Sequence, residues 1–134
     1  MLRLLRALLR SRAQEAKAAR RRAGKQAEAC SKAGGLSHGN MEGASGQHGQ
    51  NAYWSSAKAT SADATQSWYD ELKDPGYDFA KPGFTSGIGH FTQVVWVQST
   101  HVGAAVSKCG KFCVANYLPA GNLNTPEAFR ANVL

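Results

Sequence analysis

The stretch Pro82-Gly-Phe-Thr-Ser-Gly-Ile-Gly-His-Phe-Thr-Gln-Val-Val-Trp96 decides how this chain is read. Gly83, Gly87 and Gly89 mark its first half as a loop. The loop reaches back through Pro82, Gly76 and Pro75 to residue 74. Tyr77, Phe79 and Phe84 interrupt it. Aromatic rings in a glycine-rich loop need a core to fill or a ligand to touch. The second half, His90 to Val97, reads two ways. Its β-branched residues favour a strand. A helix starting after Gly89, with His90 in its first turn, fits as well.

Working outward from this stretch, the next segments are clearer. Val102–Ser107 and Phe112–Leu118 read as two strands joined by a turn at Gly110. Pro119-Ala-Gly-Asn122 closes the ladder. On the other side, a helix is expected from Ser61 to Lys73. Thr60 and Asp63 have capping-box spacing, and Ala64, Trp68 and Leu72 form its apolar stripe. Glu71 falls on or beside that stripe. A rim carboxylate is the commoner outcome there, and a group held inward for a polar cavity is the sharper one. Residues 34–51 read as an irregular, glycine-rich connection. Alanines between 16 and 33 favour a helix that Gly34-Gly35 should end.

The N-terminal stretch has a different composition. Residues 1–28 hold nine bases and two acids, and the remaining residues hold seven of each. The whole net charge of +7 therefore sits in this segment. A nucleic-acid-binding fold spreads its basic stripe over the folded surface, so no nucleic-acid partner is expected. On a helical wheel Leu2, Leu4, Leu5, Leu8 and Leu9 fill one arc, and Arg3, Arg6 and Arg10 the opposite one. Such a helix lies on an anionic membrane, serves as a mitochondrial-type presequence, or is simply solvated. A secretory signal fits badly, because arginines interrupt every apolar run. Residues 1–22 are thus expected to form a basic amphipathic arm, and 23–134 the folded domain. The three cysteines, Cys30, Cys109 and Cys113, make an odd set. Reduced thiols are the expected state, with a Cys109–Cys113 pair as the alternative.

Two segments carry a family resemblance. Gly89-His-Phe-Thr-Gln-Val-Val-Trp96 resembles the first signature of the CAP superfamily, that of cysteine-rich secretory, antigen 5 and pathogenesis-related 1 proteins. Asn116-Tyr-Leu-Pro-Ala-Gly-Asn122 resembles the second. The pattern from Tyr77 to Thr92 is similar to the intracellular, Golgi-associated branch. The likeness runs from about Gly24 to Leu134. Before that, family members carry a helix with an Asn-x-x-Arg-x-x-His pattern, and the arginine–leucine arm stands in its place. The resemblance implies an α+β fold, an α-β-α sandwich around a central antiparallel sheet, with the first family helix missing or replaced. It also favours the short helix at His90.

The resemblance further implies two histidines and two glutamates around a central cleft. By position these are His38, His90 and Glu71, while Gln50 stands where the second glutamate belongs. An amide cannot serve as a base or neutralise a cation. Two imidazoles and one acid make a weak divalent-metal site, so zinc is a conceivable ligand and no cofactor is required. The family's lipid contacts map to Tyr77, Phe79 and Phe84. The expected function is binding of lipid, sterol or an anionic membrane surface rather than turnover, with Arg3, Arg6 and Arg10 adding attraction. A metal-dependent hydrolase or protease is the alternative from a different class. A self-associating scaffold, a homodimer or a defence-related protein is the third. The implied location is intracellular, peripheral and Golgi-like, and secretion is the alternative.

Overall fold

The structure, a computed structural model, describes residues 1–43 and 46–134. One long helix, α1 (Leu2–Ala33), comes first. It ends at Gly34, whose φ of 70° is left-handed, and Gly35 donates its N–H back to Cys30 O at 3.2 Å. A glycine adopts that conformation without a Cβ clash, so the pair stops the helix as its sequence predicts. Two short strands, β1 (Glu42–Gly43) and β2 (Gly46–Gln47), pair with each other. Then come β3 (Gly49–Trp54), α2 (Ser61–Asp70), a π-helical turn over Leu72–Gly76 and α3 (Gly89–Val94). The chain finishes with β4 (His101–Val106), β5 (Phe112–Leu118) and α4 (Pro126–Asn132).

Strands β3, β5 and β4 form an antiparallel sheet in that order. Central β5 is buried along its whole length, because helices cover both faces of the sheet. Ala23 and Ala27 of α1 pack on Ala52, Val114 and Ala105 on one face. Ala64 and Trp68 of α2 pack on Cys113, Ala115 and Tyr117 on the other. A third cluster, Phe91, Trp96, Phe129 and Val133, joins α3 to α4. This is the α+β sandwich expected, with the antiparallel sheet between helical layers.

Small residues let α1 approach the sheet closely. A Cβ on Gly103 would lie 2.2 Å from the backbone nitrogen of Arg20. Only a residue without a side chain permits that crossing. Burial along α1 begins at Glu15 and Ala16 and includes Ala19, while residues 1–14 are exposed. The arm boundary expected between residues 22 and 23 thus lies inside an unbroken helix.

Two local expectations need adjustment. The connection read over 34–51 overlaps β3, whose Gly49, Gln50 and Asn51 pair with Tyr117, Asn116 and Ala115; residues 44–45 lie outside the described residues. Glycine and asparagine are poor strand formers, so pairing with β5 is what fixes the first half of β3. Helix α2 stops at Asp70, and its continuation widens into the π turn, in which Gly76 N donates to Glu71 O and Tyr77 N to Leu72 O. The cap at its start is as expected, with Asp63 N donating to Thr60 Oγ1 at 3.0 Å. Between His90 and Val97 the chain is helical through Val94, which is the short helix that the family resemblance favours over a strand.

All three cysteines are free thiols. Burial pushes the Cys113 thiol up. Hydrogen bonding by the Ser107 hydroxyl, then by Ser31, holds the exposed Cys109 thiol low.

Candidate functional site in the central cleft

The N-cap position of α3 is Ile88, which has no side-chain acceptor for the first free N–H groups. Glu71, at the end of α2, supplies one from across the layer. Its Oε2 accepts from Phe91 N at 2.9 Å, and its Oε1 from His90 Nδ1 at 2.7 Å. A carboxylate only accepts, so Nδ1 carries the hydrogen of a neutral ring and leaves Nε2 as an acceptor. Asn51 steadies the same turn by donating from Nδ2 to His90 O at 3.1 Å. The inward carboxylate, not the rim one, is what the fold uses.

Gln50 performs the matching task on the opposite side. Its Oε1 accepts from Gly39 N at 3.1 Å and lies 3.0 Å from His38 Nδ1. Its Nε2 donates to Asn116 Oδ1 at 2.9 Å. His38, in the loop after α1, is therefore held by an amide, as His90 is held by a carboxylate. The loop that Gln50 anchors is tied down a second time where Gln26 Nε2 donates to Ser37 O at 2.8 Å.

These groups meet in one cleft of about 350 Å³, lined by His38, Gln50, Asn51, Glu71, Phe84 and His90 together with Gly87, Gly89 and Asn122. The four positions assigned by resemblance are thus brought together. Asn51 and Asn122 are additions. Asn122 donates from Nδ2 to Gly89 O at 2.8 Å and accepts from Thr92 Oγ1 at 2.6 Å, which fixes the loop before α3. Its own φ of 55° is a conformation asparagine tolerates. An asparagine inside a strand, as at 51, signals a buried polar task, but only once β3 is recognised.

The aromatic loop is divided. Tyr77 packs edge-on against Phe79 at 4.9 Å and tilts on Phe91, joining the α3–α4 core. Phe79 and Phe84 are about half exposed, at 51% and 54%. Only Phe84 of the three lines the cleft. Leu2, Leu4, Leu5, Leu8 and Leu9 are 53% to 69% exposed, with Arg3, Arg6 and Arg10 exposed beside them. No helix among the described residues is long and apolar enough to cross a membrane.

A sequence model of the cysteine-rich secretory protein family, CAP, matches residues 13–117. The chain belongs to the CAP family. The match begins within the segment expected to precede the domain, in keeping with the burial that starts at Glu15. Human Golgi-associated plant pathogenesis-related protein 1 is 43% identical over 96 residues, which cover 69% of this chain and 61% of that protein. Protein PRY2 of Saccharomyces cerevisiae is 36% identical over 89 residues, covering 63% of this chain and 26% of the yeast protein. The chain thus spans less than two thirds of either relative. A crystal structure of NaASP2 with Zn2+ superimposes with a TM-score of 0.60 at 26% identity, over 80% of this chain and 62% of that one.

That neighbour holds zinc, so the fit of zinc to this CAP cleft can be tested on its donors. Among the described residues no group of three or more histidine, cysteine, aspartate or glutamate side chains is placed to hold a metal ion. Both Glu71 oxygens are occupied by His90 and Phe91. Gln50 Oε1 is occupied by Gly39 and His38. Two imidazoles remain, fewer than the three protein ligands of a zinc site. The residues present do not fit the ion. The cleft lining includes no hydroxyl or thiol nucleophile either.

Proposed function

We propose that this CAP domain is a peripheral membrane protein that binds lipid, with the start of α1 resting on an anionic bilayer. One observation carries the reading: five leucines of α1 are uncovered on a helix whose opposite arc is arginine. Exposed apolar surface of that extent marks an interaction site. The leucine arc continues the face that buries Ala19, Ala23 and Ala27 further along, but here the sheet has ended and none of the described residues buries it. A bilayer interface satisfies both arcs at once, taking the leucines into the acyl boundary and the arginines to anionic headgroups. Phe79 and Phe84 offer further apolar contact, with Phe84 at the mouth of the cleft, where a lipid or sterol would enter. The name of the human relative supports a Golgi membrane as the setting, and the cysteine-rich secretory relatives support an extracellular one.

Cosedimentation with vesicles tests this. Binding to phosphatidylcholine vesicles containing phosphatidylserine should exceed binding to pure phosphatidylcholine and should weaken with salt. Each basic residue near such a surface contributes about 1 kcal/mol, so replacing Arg3, Arg6 and Arg10 by glutamine should cost roughly two orders of magnitude in affinity. Leu5→Ser with Leu9→Ser should reduce binding to both vesicle types. Unchanged binding in both variants would refute the reading.

The hydrolase alternative draws on the Glu71–His90 pair, in which a carboxylate orients an imidazole base. With no side-chain nucleophile in the lining, that base would have to act on water.

A further inference from the structure

A second cavity lies on the α1 side of Gln50, between that helix and the loop at residues 39–40. It measures about 330 Å³, and Arg21, Arg22, Lys25, Gln26, Asn40 and Gln50 line it. Its charge is of one sign, since no carboxylate contributes to the lining. Among the described residues none of its three cations is in an ion pair. Arg21 and Lys25 are four residues apart on the helix, a spacing at which like charges weaken the helix that bears them. No carboxylate among the described residues balances these cations, which is the condition an anionic ligand would relieve.

The cavity's frame is rigid. Ala19, Ala23 and Ala27 pin this part of α1 to the sheet, in contrast to the uncovered first turns. The facing loop is held by Gln26 on Ser37 O and Ser37 Oγ, and by Gly39 N on Gln50 Oε1. Arg22 donates to the carbonyl of Glu42, which ties this cation to the chain beyond the 39–40 loop. Asn40 accepts from Glu42 N through Oδ1, so its side-chain NH2 group remains as a donor. Two guanidinium forks, an ammonium and an amide NH2 therefore surround one space. Arginine forks match the paired oxygens of a phosphate group, and the lysine adds a point charge. The volume is in the range of small-ligand pockets and exceeds what a bare phosphate needs.

We propose that this cavity is a phosphate-binding site, in which Arg21, Arg22 and Lys25 hold the phosphate group of an ester, supplied by a lipid headgroup or by a soluble phosphate ester. The site lies across Gln50 from the His38–Glu71–His90 cleft and does not require the leucine face of α1.

The test is an amide-resolved NMR titration of the full chain at constant ionic strength. The probes are inositol 1,4,5-trisphosphate, inorganic phosphate, and vesicles carrying phosphatidylinositol 4,5-bisphosphate. Saturable shifts at Gly39, Asn40 and the Gln26 side-chain amide are expected with the soluble ester. R21Q/K25Q should weaken binding by about 25-fold, with its urea midpoint not lowered; each charge is worth about fivefold. R3Q/R6Q/R10Q should leave binding of the soluble ester as it is, so a failed membrane reading would not disturb this result. In the R3Q/R6Q/R10Q background, preference for the vesicle-borne headgroup over the soluble ester identifies a lipid as the source, and equal affinity identifies a free ester; either supports the site. Non-saturating shifts with every probe, or equal affinity in R21Q/K25Q, would overturn it.

Discussion

His90 Nδ1 stands 2.7 Å from Glu71 Oε1, and the other oxygen of that carboxylate caps the helix on which His90 sits. One side chain thus fixes both the tautomer of the imidazole and the position of its backbone. Replacing Glu71 by glutamine separates the two tasks. The amide oxygen can still accept from Phe91 N, but the NH2 group then faces Nδ1. For the neutral ring the hydrogen should move to Nε2, turning the atom available to the cleft from acceptor to donor. Nitrogen-15 imidazole shifts should report the exchange, with a stability loss of about 1 kcal/mol in urea unfolding. An unchanged tautomer would contradict the assigned pairing.

Gln50→Glu should raise the affinity of the cleft for a cation, because it adds the negative charge that an amide lacks. The new carboxylate would place an oxygen against Asn116 Oδ1, an unfavourable pair of acceptors. Asn116 Nδ2, however, is buried and has no partner among the described residues. An amide flip would turn that nitrogen toward the carboxylate and satisfy both. Zinc affinity, measured by competition with a chromophoric chelator, should rise by at least about tenfold. No gain would mean that His38 and His90 are too far apart to share an ion.

Tyr117 makes the fold sensitive to alkali. Burial pushes its phenol up to about 12 from an ordinary value of 10.0, partly offset by the hydrogen bond from Asn51. The folded state therefore keeps a proton that the unfolded chain releases. This contribution is complete below pH 10 and is lost between pH 10 and 12, a change of about 3 kcal/mol. Urea unfolding at pH 8.5 and 11.5 should show a steeper loss for the parent than for Tyr117→Phe. Parallel losses would show that the phenol is not the group responsible.

Gly103→Ala should be among the most costly small substitutions. The added methyl would overlap the backbone of α1 at Arg20, which cannot move aside as a flexible side chain could. Overpacking of this kind costs about 1–3 kcal/mol. Gly110→Ala, in the open turn of the hairpin at φ 74°, should cost less, since nothing lies within 4 Å of the added carbon. Chemical denaturation of the two variants gives the comparison, and an equal or larger cost at Gly110 would contradict the close crossing.

Periodicity and turn chemistry made much of this fold readable. Thr60 and Asp63 announced α2, and the β4–β5 hairpin followed from two apolar runs around Gly110. Strand β3 was hidden because Gly49 and Asn51 have little strand preference of their own and owe their geometry to β5. The extent of α1 as a packed element was hidden because alanines mark helix without saying which of them meets the sheet. The cleft was readable only through the family signatures. Its residues come from a loop, a strand, a helix end and a helix start, and no spacing rule links 38, 50, 71 and 90. The basic cavity escaped notice because Arg21, Arg22 and Lys25 look like any charged helix face until the 39–40 loop closes over them.

Gln50 forms a wall common to two chambers, with the imidazoles on one side and the basic residues on the other. A substitution there changes both rooms together, whereas one at Lys25 or Glu71 changes a single room. Three hydrogen bonds of one amide hold that wall, so a ligand that shifts it from one side should alter affinity on the other, and titrations of the two ligand classes against each other should not be independent.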